Sequence, residues 1–481
     1  MFSEFIRMRY VLLFFLSVTV PLAGCDDTTE ESHDSQLDAA HVKSREAPVS
    51  SESELSSSTA IGDELDIESA RVADVSAQGQ RYGEHQEKQT SKDTTPNGLI
   101  NKVARQGQGW PKWRGPQGNN HSDEKGLIKR FPDGGPKIVW RQELGSGFSG
   151  LSIAEDHLYT LFGRGGREYV ACFNADTGAE KWKIDLDEDF SQGRSFGPRA
   201  TPCVDGNRVY AAGASGEFCC LNTQDGKEIW SFNLYEKFGM PTHEEGLSCS
   251  PLIDGQKVLM ATGNSAFAFD KSNGKLIWRS LQEKMNHSTP AIAKLDGKQQ
   301  MIVLTAGNLV GLNPEDGKEH WRFPQRGVNC VTPVVGPGNQ VFTGAAYGFG
   351  CQLVKVANDS PSQVYKNSAL STHHATAMLY QRHLYGFHDR PGIFKCVEFA
   401  TGDEKWVSRS PGKGKLIIAD EQLIIVSEHG ELILAKPTPE GYHQTAKAKV
   451  VSGTCFTAPS LVKGKLYVRS DNEMVCIDLK K

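Results

Sequence analysis

A ten-residue motif that ends in tryptophan recurs along this chain and constrains its fold more than any other feature. The clearest copy, LNTQDGKEIW, ends at Trp230. Related copies end at Trp182, Trp278 and Trp321, and a weaker copy ends at Trp406. The tryptophans are spaced by 48, 48, 43 and 85 residues, so one unit without tryptophan fits into the last interval. A fixed period of this length is typical of repeat architectures, in which each unit is one supersecondary structure.

Each repeat has the pattern of four short strands. A Thr-Pro or Ser-Pro pair, such as Thr201-Pro202, opens the unit, and an Asp-Gly turn such as Asp205-Gly206 follows. Alternating segments such as RVYAAG and EFCCLN supply the next strands, and the motif glycine turns the chain into the last one. Turns every 8–12 residues or so, and no long segment with helical periodicity, favour an all-β protein. The pattern predicts an eight-bladed β-propeller of four-stranded antiparallel blades.

The eighth unit depends on both ends of the repeat region. The fifth unit has Tyr365 where tryptophan is expected, and the seventh runs through Lys415 to Lys436. The eighth stops without its last strand, whereas the segment Lys137–Leu144, KIVWRQEL, carries Trp140 and has no blade before it. We expect this N-terminal strand to complete the eighth blade, because closing the ring removes exposed sheet edges.

The N-terminus has the features of an export signal that ends in a lipidation site. Arg7 and Arg9 form a basic region, and an apolar run of about a dozen residues follows. The run leads to LAGC, Leu22–Cys25, which resembles the lipobox of bacterial lipoproteins. We expect a signal peptide over 1–24 and a lipid anchor on Cys25 that holds the protein in an envelope membrane, facing the periplasm. An ordinary signal peptide with a chance cysteine is the alternative, and the sequence does not choose between inner and outer membrane.

An acidic segment separates the anchor from the repeats. Residues 26–97 contain 17 Asp/Glu and 6 Lys/Arg and almost no aromatic residues. Such a composition cannot bury enough apolar surface to fold. We therefore expect a disordered tether over 25–105 and the propeller over 106–481. The formal net charge of the whole chain is -5, which argues against a nucleic-acid partner.

The repeat xDxxTGxxxW resembles the tryptophan-docking motif of quinoprotein-like eight-bladed propellers over about residues 137–481. The segment Trp113–Gly118, WRGPQG, followed by FPDGGPKIVW, also resembles the start of PQQ-like propeller proteins of planctomycete-type bacteria. The superfamily includes pyrroloquinoline quinone (PQQ) dehydrogenases and non-enzymatic lipoproteins such as the propeller subunit of the β-barrel assembly machinery. The resemblance implies the fold and leaves the chemistry open. It implies that a bulky indole fills the gap between neighbouring sheets, at Trp140, Trp182, Trp230, Trp278, Trp321 and Trp406.

The hypothesis that the chain is a PQQ dehydrogenase depends on two adjacent cysteines. In the alcohol dehydrogenases of this superfamily an adjacent-cysteine disulfide presses on the quinone, which binds over the channel with calcium. Here Cys219 and Cys220 fall within a strand, where neighbouring side chains point to opposite faces. Aligned on the motif glycine, Cys220 occupies a small-residue position that also holds Cys172, Ala268, Gly311, Cys396 and Cys476. We expect no cofactor, and PQQ with calcium only if the chain is a dehydrogenase.

The register three residues before each opening proline selects polar side chains. It gives Arg199, Ser248, His287 and Cys330, and in the sixth unit His374. These residues precede the innermost strands, so we expect them at the rim of the central channel. His287, Cys330 and His374 fall on three consecutive units, and two imidazoles with a thiolate can bind zinc or copper. The alternatives are a polar site for a small ligand, or side chains that only pack between blades.

The leading hypothesis is a non-catalytic, membrane-tethered propeller that binds envelope proteins or a ligand, and we expect the propeller to be monomeric. A long tether suits an interaction module. No catalytic residue is assigned. A PQQ-dependent dehydrogenase that oxidises alcohols or sugars is the first alternative, and a metal-binding propeller is the second.

Overall fold

Eight β-sheets form a ring in the part of the chain that the computed structural model describes, residues 109–481 apart from 193–194, 243 and 391. The innermost strands of neighbouring blades contact one another around a central axis. The eight-bladed β-propeller predicted from the repeat is therefore confirmed. The predicted signal peptide over 1–24, the lipidation site Cys25 and the predicted tether over 25–105 lie outside the described residues. Within the described range, no helix is long and apolar enough to span a bilayer.

The blades follow one another along the chain, and strands within a blade pair antiparallel, running from the innermost to the outermost. Blade 1 contains Ser152–Ala154, His157–Arg164, Arg167–Asn174 and Glu180–Glu188, and blade 2 contains Cys203–Asp205, Arg208–Ala212, Glu217–Asn222 and Glu228–Asn233. Blade 3 contains Leu252–Asp254, Lys257–Thr262, Ser265–Asp270 and Leu276–Ser280. Blade 4 contains Ala291–Leu295, Lys298–Leu304, Asn308–Leu312 and Glu319–Pro324. Blades 5 to 7 contain Val334–Gly336, Gln340–Ala345, Gly350–Ala357 and Ser360–Asn367; Met378–Tyr380, His383–His388, Ile393–Glu398 and Glu404–Ser408; and Gly414–Ala419, Gln422–Ser427, Glu431–Lys436 and His443–Lys449.

Blade 8 is closed by the N-terminal strand, as predicted. Its first three strands are Ser460–Val462, Lys465–Arg469 and Glu473–Asp478, and Lys137–Glu143 pairs antiparallel with the third. Strands from the two ends of the repeat region therefore share one sheet. This arrangement leaves the ring without an open junction between the first and last blades.

Three small elements lie outside the regular four strands of the blades. A helix, Leu234–Phe238, follows blade 2 and is capped by Asn233, whose side chain accepts two backbone N–H bonds. Two short strands, Ser191–Gln192 and Ser195–Phe196, form a ribbon after blade 1. The strand His121–Ser122 pairs in parallel with the innermost strand of blade 7 and makes that sheet five-stranded.

The motif tryptophans contact the turn of the next blade. The indole N–H of Trp182, in blade 1, donates to the carbonyl of Thr223 in blade 2 at 3.0 Å. Trp140, Trp230, Trp278 and Trp406 make equivalent bonds to Ala175, Lys271, Pro314 and Thr438. Trp321 instead donates to Gln300 of its own blade at 2.7 Å. Its neighbour, blade 5, lacks the motif turn and has Asn358 and Asp359 between its last two strands.

A small residue faces each of these tryptophans on the neighbouring strand. Cys220 is paired with Trp230, and Cys172, Ala268, Gly311, Cys396 and Cys476 take the same position opposite their own tryptophans. A Cβ built on Gly311 would lie 2.4 Å from the indole of Trp321. The indole therefore requires a small partner, which explains the cysteines. Cys219 and Cys220 are both buried and both free thiols within the described region.

The segment before the propeller crosses the central channel. Trp110 pairs with Ile153 of blade 1, and Pro111 accepts a hydrogen bond from Val204 of blade 2. The indole of Trp113 then donates to Thr332 of blade 5 at 3.0 Å. The chain continues to blade 7, where His121–Ser122 pairs with Ile418–Ala419. Residues 110–122, named the channel segment below, therefore contact opposite sides of the ring.

Candidate functional site

The end of the channel at which the innermost strands begin is held together by hydroxyl groups. The backbone N–H of Thr201 donates to Oγ of Ser250 at 3.0 Å, and that of Ser250 donates to Oγ1 of Thr289 at 2.9 Å. Thr332 is linked to Thr376 in the same way at 3.1 Å. These hydroxyls belong to the opening Thr-Pro and Ser-Pro pairs or their equivalents. The motif thus joins neighbouring innermost strands, and the residues before it form the rim.

The rim residues predicted from the sequence divide into separate groups. Oγ of Ser248 lies 3.5 Å from Nδ1 of His287. The guanidinium of Arg199 lies over the ring of Phe190, 4.7 Å from its centroid. Among the described residues, Cys330 and His374 belong to one group of potential metal ligands, and Arg199, Ser248 and His287 do not, although the charge of His287 acts on His374.

Cys330 and His374 converge with a third residue, His373. The sulfur of Cys330 and one ring nitrogen of each histidine lie within 4.8 Å of one another. The two imidazole centroids are 3.6 Å apart. Cys330 and His373 are half-buried and His374 is exposed. These three residues, named the mouth cluster below, come from the loops before the innermost strands of blades 5 and 6.

Buried polar groups surround the mouth cluster. Oδ1 of Asp389, whose side chain is buried, is 3.2 Å from Nδ1 of His373, and Oδ2 accepts the backbone N–H of Tyr347 at 3.1 Å. The Nζ of Lys415 donates to the carbonyl of His374. Burial lowers the pKa of Lys415 to about 8. Although part of the His374 ring is exposed, desolvation of the rest and the charge of Lys415 lower its pKa, so this imidazole is neutral at pH 7.

His373 did not emerge from the sequence pattern because the pattern treats residues before each innermost strand as extended. In an extended chain, adjacent side chains point to opposite sides. The backbone bends over residues 373–375 instead, so both imidazoles lie on one side. The dipeptide His373-His374 was the available signal, and only the bend decides that both residues face Cys330.

A buried carboxyl group lies on the third strand of blade 1, where it faces blade 2. Glu168 is fully buried, and its two oxygens accept the backbone N–H groups of Ala214 at 2.8 Å and Phe190 at 3.4 Å. Burial raises the pKa of Glu168 to about 7, and the two backbone hydrogen bonds offset part of that rise. The charged form of Glu168 is therefore disfavoured in the folded state.

We expect the wild-type protein to lose stability as the pH rises from 4.5 to 7, and the Glu168→Gln variant to lose less. The pKa of Glu168 is about 7 in the folded state, above its ordinary value of 4.5. Between these two pH values the folded state binds more protons than the unfolded state, so the stability that the protonated carboxyl group contributes is lost as the pH rises to 7. The difference in unfolding free energy between the two proteins should change by about 3 kcal/mol between pH 4 and pH 8. Urea unfolding at both pH values measures it, and parallel pH profiles would contradict it.

The similarity to known proteins lies within the propeller repeats. Residues 166–408, just over half of the chain, match the family described as outer membrane protein assembly factor BamB. The chain belongs to the BamB family. Outer membrane protein assembly factor BamB of Escherichia coli K12 is 36% identical over 81 residues, which cover 16% of this chain and 21% of that protein. The alignment thus spans about a fifth of the curated relative, and a Salmonella typhimurium BamB shows the same identity and coverage.

Solved structures share the propeller architecture with this BamB-family chain. A quinohemoprotein alcohol dehydrogenase from Comamonas testosteroni superposes with a TM-score of 0.56 at 10% identity, over 78% of this chain and 81% of that one. The computationally designed Ika8 protein gives a TM-score of 0.53 at 12% identity, over 72% of this chain and 100% of its own. At such low identity the likeness concerns the fold alone.

One feature of the quinone arrangement, the adjacent-cysteine disulfide of the alcohol dehydrogenases, is not formed by Cys219 and Cys220. The adjacent cysteines Cys219 and Cys220 lie in the third strand of blade 2, where each pairs across the sheet and remains a free thiol. At the rim, Phe456 of the last blade contacts Phe148, with centroids 5.0 Å apart, and His374, 6.2 Å away. Side chains from three blades thus pack against one another at the mouth.

Proposed function

We propose that this chain is a non-catalytic scaffold of the bacterial cell envelope, anchored by lipid on Cys25, whose propeller binds protein partners. Membership of the BamB family supports an envelope role, because its named members are outer membrane assembly factors. The export and lipobox pattern before Cys25 supports the anchor. The geometry of the mouth face supports protein binding.

The observation that carries this proposal is an exposed apolar patch beside the mouth. Val328, Tyr347 and Phe349 are 37%, 50% and 49% exposed. They lie on two loops that are joined by the backbone bond from Ala346 to the carbonyl of Val328 at 3.1 Å. A contiguous exposed apolar group of this kind marks an interaction site more often than single exposed residues do. We name these three residues the blade 5 patch.

A basic side chain borders the blade 5 patch. The guanidinium of Arg390 lies over the ring of Tyr347, 5.1 Å from its centroid. Aromatic residues with an adjacent arginine are the composition that energetically dominant interface residues favour. The patch therefore suits a partner segment that presents apolar side chains next to a carboxylate.

Photo-crosslinking in intact cells tests the scaffold proposal. A photoreactive phenylalanine analogue replaces Tyr347, and a control protein carries it at Ile277, which is 47% exposed on the outer strand of blade 3. We expect a discrete adduct with an envelope protein from position 347 and none from position 277. The Phe349→Ser change should abolish the adduct, because the patch loses its second aromatic anchor. Equal adducts from both positions would contradict the proposal.

The dehydrogenase alternative has its own decisive measurement. The purified protein is titrated with PQQ and calcium, and dye-coupled oxidation of alcohols and sugars is followed. We expect no saturable turnover. Saturable turnover would overturn the non-catalytic assignment while leaving the fold and family assignment unchanged.

A further inference from the structure

We propose that the mouth cluster, Cys330, His373 and His374, is a binding site for a zinc ion whose fourth coordination position faces solvent. This inference is independent of the scaffold proposal. It rests on the identity of the three side chains, their convergence and the buried carboxylate behind them.

The donor set is the first support. One thiolate sulfur and two imidazole nitrogens form a borderline-soft set that favours zinc over calcium or magnesium. The three ligand atoms lie within 4.8 Å of one another. Zinc bound at 2.0–2.3 Å from each atom requires them about 3.5 Å apart, so modest side-chain rotations close the remaining gap. His374 is exposed, which leaves a path for the ion to enter.

The orientation of His373 is the second support. Asp389 holds Nδ1 of His373 at 3.2 Å, so Nε2 is the nitrogen left for a metal. Asp389 is itself fixed by the backbone N–H of Tyr347 at 3.1 Å. A carboxylate behind a ligating histidine sets the tautomer and raises the basicity of the ring. The site therefore has a supporting residue as well as ligands.

The positive charge of Lys415 affects how tightly the mouth cluster binds zinc. Its buried ammonium group donates to the carbonyl of His374, and its charge acts on the thiol of Cys330. Metal binding places a thiolate beside this ammonium group, and the two charges attract. The zinc ion is repelled by the same ammonium group. Since the metal carries the larger charge, removal of the Lys415 charge should tighten zinc binding.

A second grouping of potential ligands lacks these properties. Glu155, Asp156 and His157 lie together on the turn between the first two strands of blade 1. Nδ1 of His157 is 2.7 Å from Asp156, and Nε2 is 2.7 Å from Nζ of Lys181. Both ring nitrogens already have partners, so this grouping carries no proposal.

Zinc binding to the tag-free, full-length protein tests the proposal. The protein is stripped with a chelator and titrated with zinc, and metal content is measured after dialysis. We expect one zinc ion per chain at the mouth cluster. Replacement by cobalt should give a thiolate-to-cobalt charge-transfer band in the near ultraviolet, because Cys330 supplies a sulfur ligand.

Variants assign that signal to the mouth cluster. Cys330→Ser should abolish the charge-transfer band, and His373→Gln and His374→Gln should each weaken zinc binding. Asp389→Asn should weaken it by about 10–100-fold while the cobalt band is retained. Lys415→Met should tighten it. His443→Gln, an exposed histidine of blade 7, is the control and should change nothing.

Several outcomes would overturn the assignment. Zinc uptake that is unchanged in folded Cys330→Ser and His374→Gln proteins would show binding elsewhere. Zinc content at background in the wild-type protein would exclude the site. Copper(I) bound at the same residues in preference to zinc would overturn the choice of metal. Circular dichroism of each variant separates loss of a ligand from loss of the fold.

Discussion

Gly226→Ala is expected to destabilise the propeller by about 3 kcal/mol or more, although it adds one methyl group. Gly226 lies in the motif turn of blade 2 with φ at +71°, and a Cβ there would lie 2.7 Å from the indole of Trp182 in blade 1. The alanine therefore has to accept a left-handed backbone and also displace the indole. Displacing the indole breaks its hydrogen bond to Thr223.

The same blade offers a matched control for this substitution. Gly206 also has a positive φ, +60°, but a Cβ there would meet nothing within 4 Å. Gly206→Ala should therefore cost only the backbone term, about 1–2 kcal/mol. Urea unfolding of both variants measures the two costs. Equal destabilisation would show that contact between motif glycine and tryptophan contributes nothing beyond the backbone conformation.

Arg469→Met is expected to destabilise the protein by about 3–5 kcal/mol, because it leaves several buried acceptors without a donor at the closure between the last and first blades, each at about 1–3 kcal/mol. Arg469, on the second strand of blade 8, is almost completely buried. Its guanidinium donates to the carbonyls of Gly147, Ser149 and Leu161 and to Oγ1 of Thr160, at 2.8–3.0 Å. Methionine fills similar volume but leaves these buried acceptors without donors.

An exposed arginine provides the comparison for Arg469. Arg382 of blade 6 has a side chain that is 80% exposed and pairs with Glu398 at 3.5 Å. Arg382→Met should change the unfolding free energy by about 1 kcal/mol or less. Amide hydrogen exchange adds a local measurement, because in Arg469→Met the closing strand, Lys137–Glu143, should lose protection before the other blades do. Uniform loss of protection around the ring would contradict a closure-specific role.

The sequence predicted most of the architecture because each blade repeats the same local rules. Alternation of side chains, Asp-Gly turns and the terminal tryptophan act within a unit or between neighbours, so they are visible in sequence. The unit without tryptophan obeys the same rule, since Tyr365 lies against Gly402 of the next blade as Trp182 lies against Gly226 of the next blade. The bound predicted for the seventh unit was too short, because the last strand of blade 7, His443–Lys449, lacks a tryptophan to mark it.

The candidate site was less visible in the sequence. Cys330 and His374 were selected by their register before the innermost strands, and the structure places them together. The third member of the mouth cluster, His373, depends on a local bend, and its buried partner Asp389 comes from a different loop of blade 6. His287 lies beside Ser248 and is not a member of the mouth cluster, although its charge acts on His374. Convergence of loops around a channel depends on the tilt and spacing of the blades, which no short motif records.

The sequence by itself determined the number of blades and their strand pattern, because each blade repeats the same short sequence pattern. It also determined the closure by Lys137–Glu143, because an unpaired sheet edge would otherwise remain exposed. Only the tertiary structure decided what occupies the channel and its mouth. The channel segment reaches Thr332 across the ring through Trp113, and the mouth cluster forms from two neighbouring loops. Both depend on contacts between residues far apart in the chain: the first exists only once the ring has formed, and the second once blades 5 and 6 have packed together.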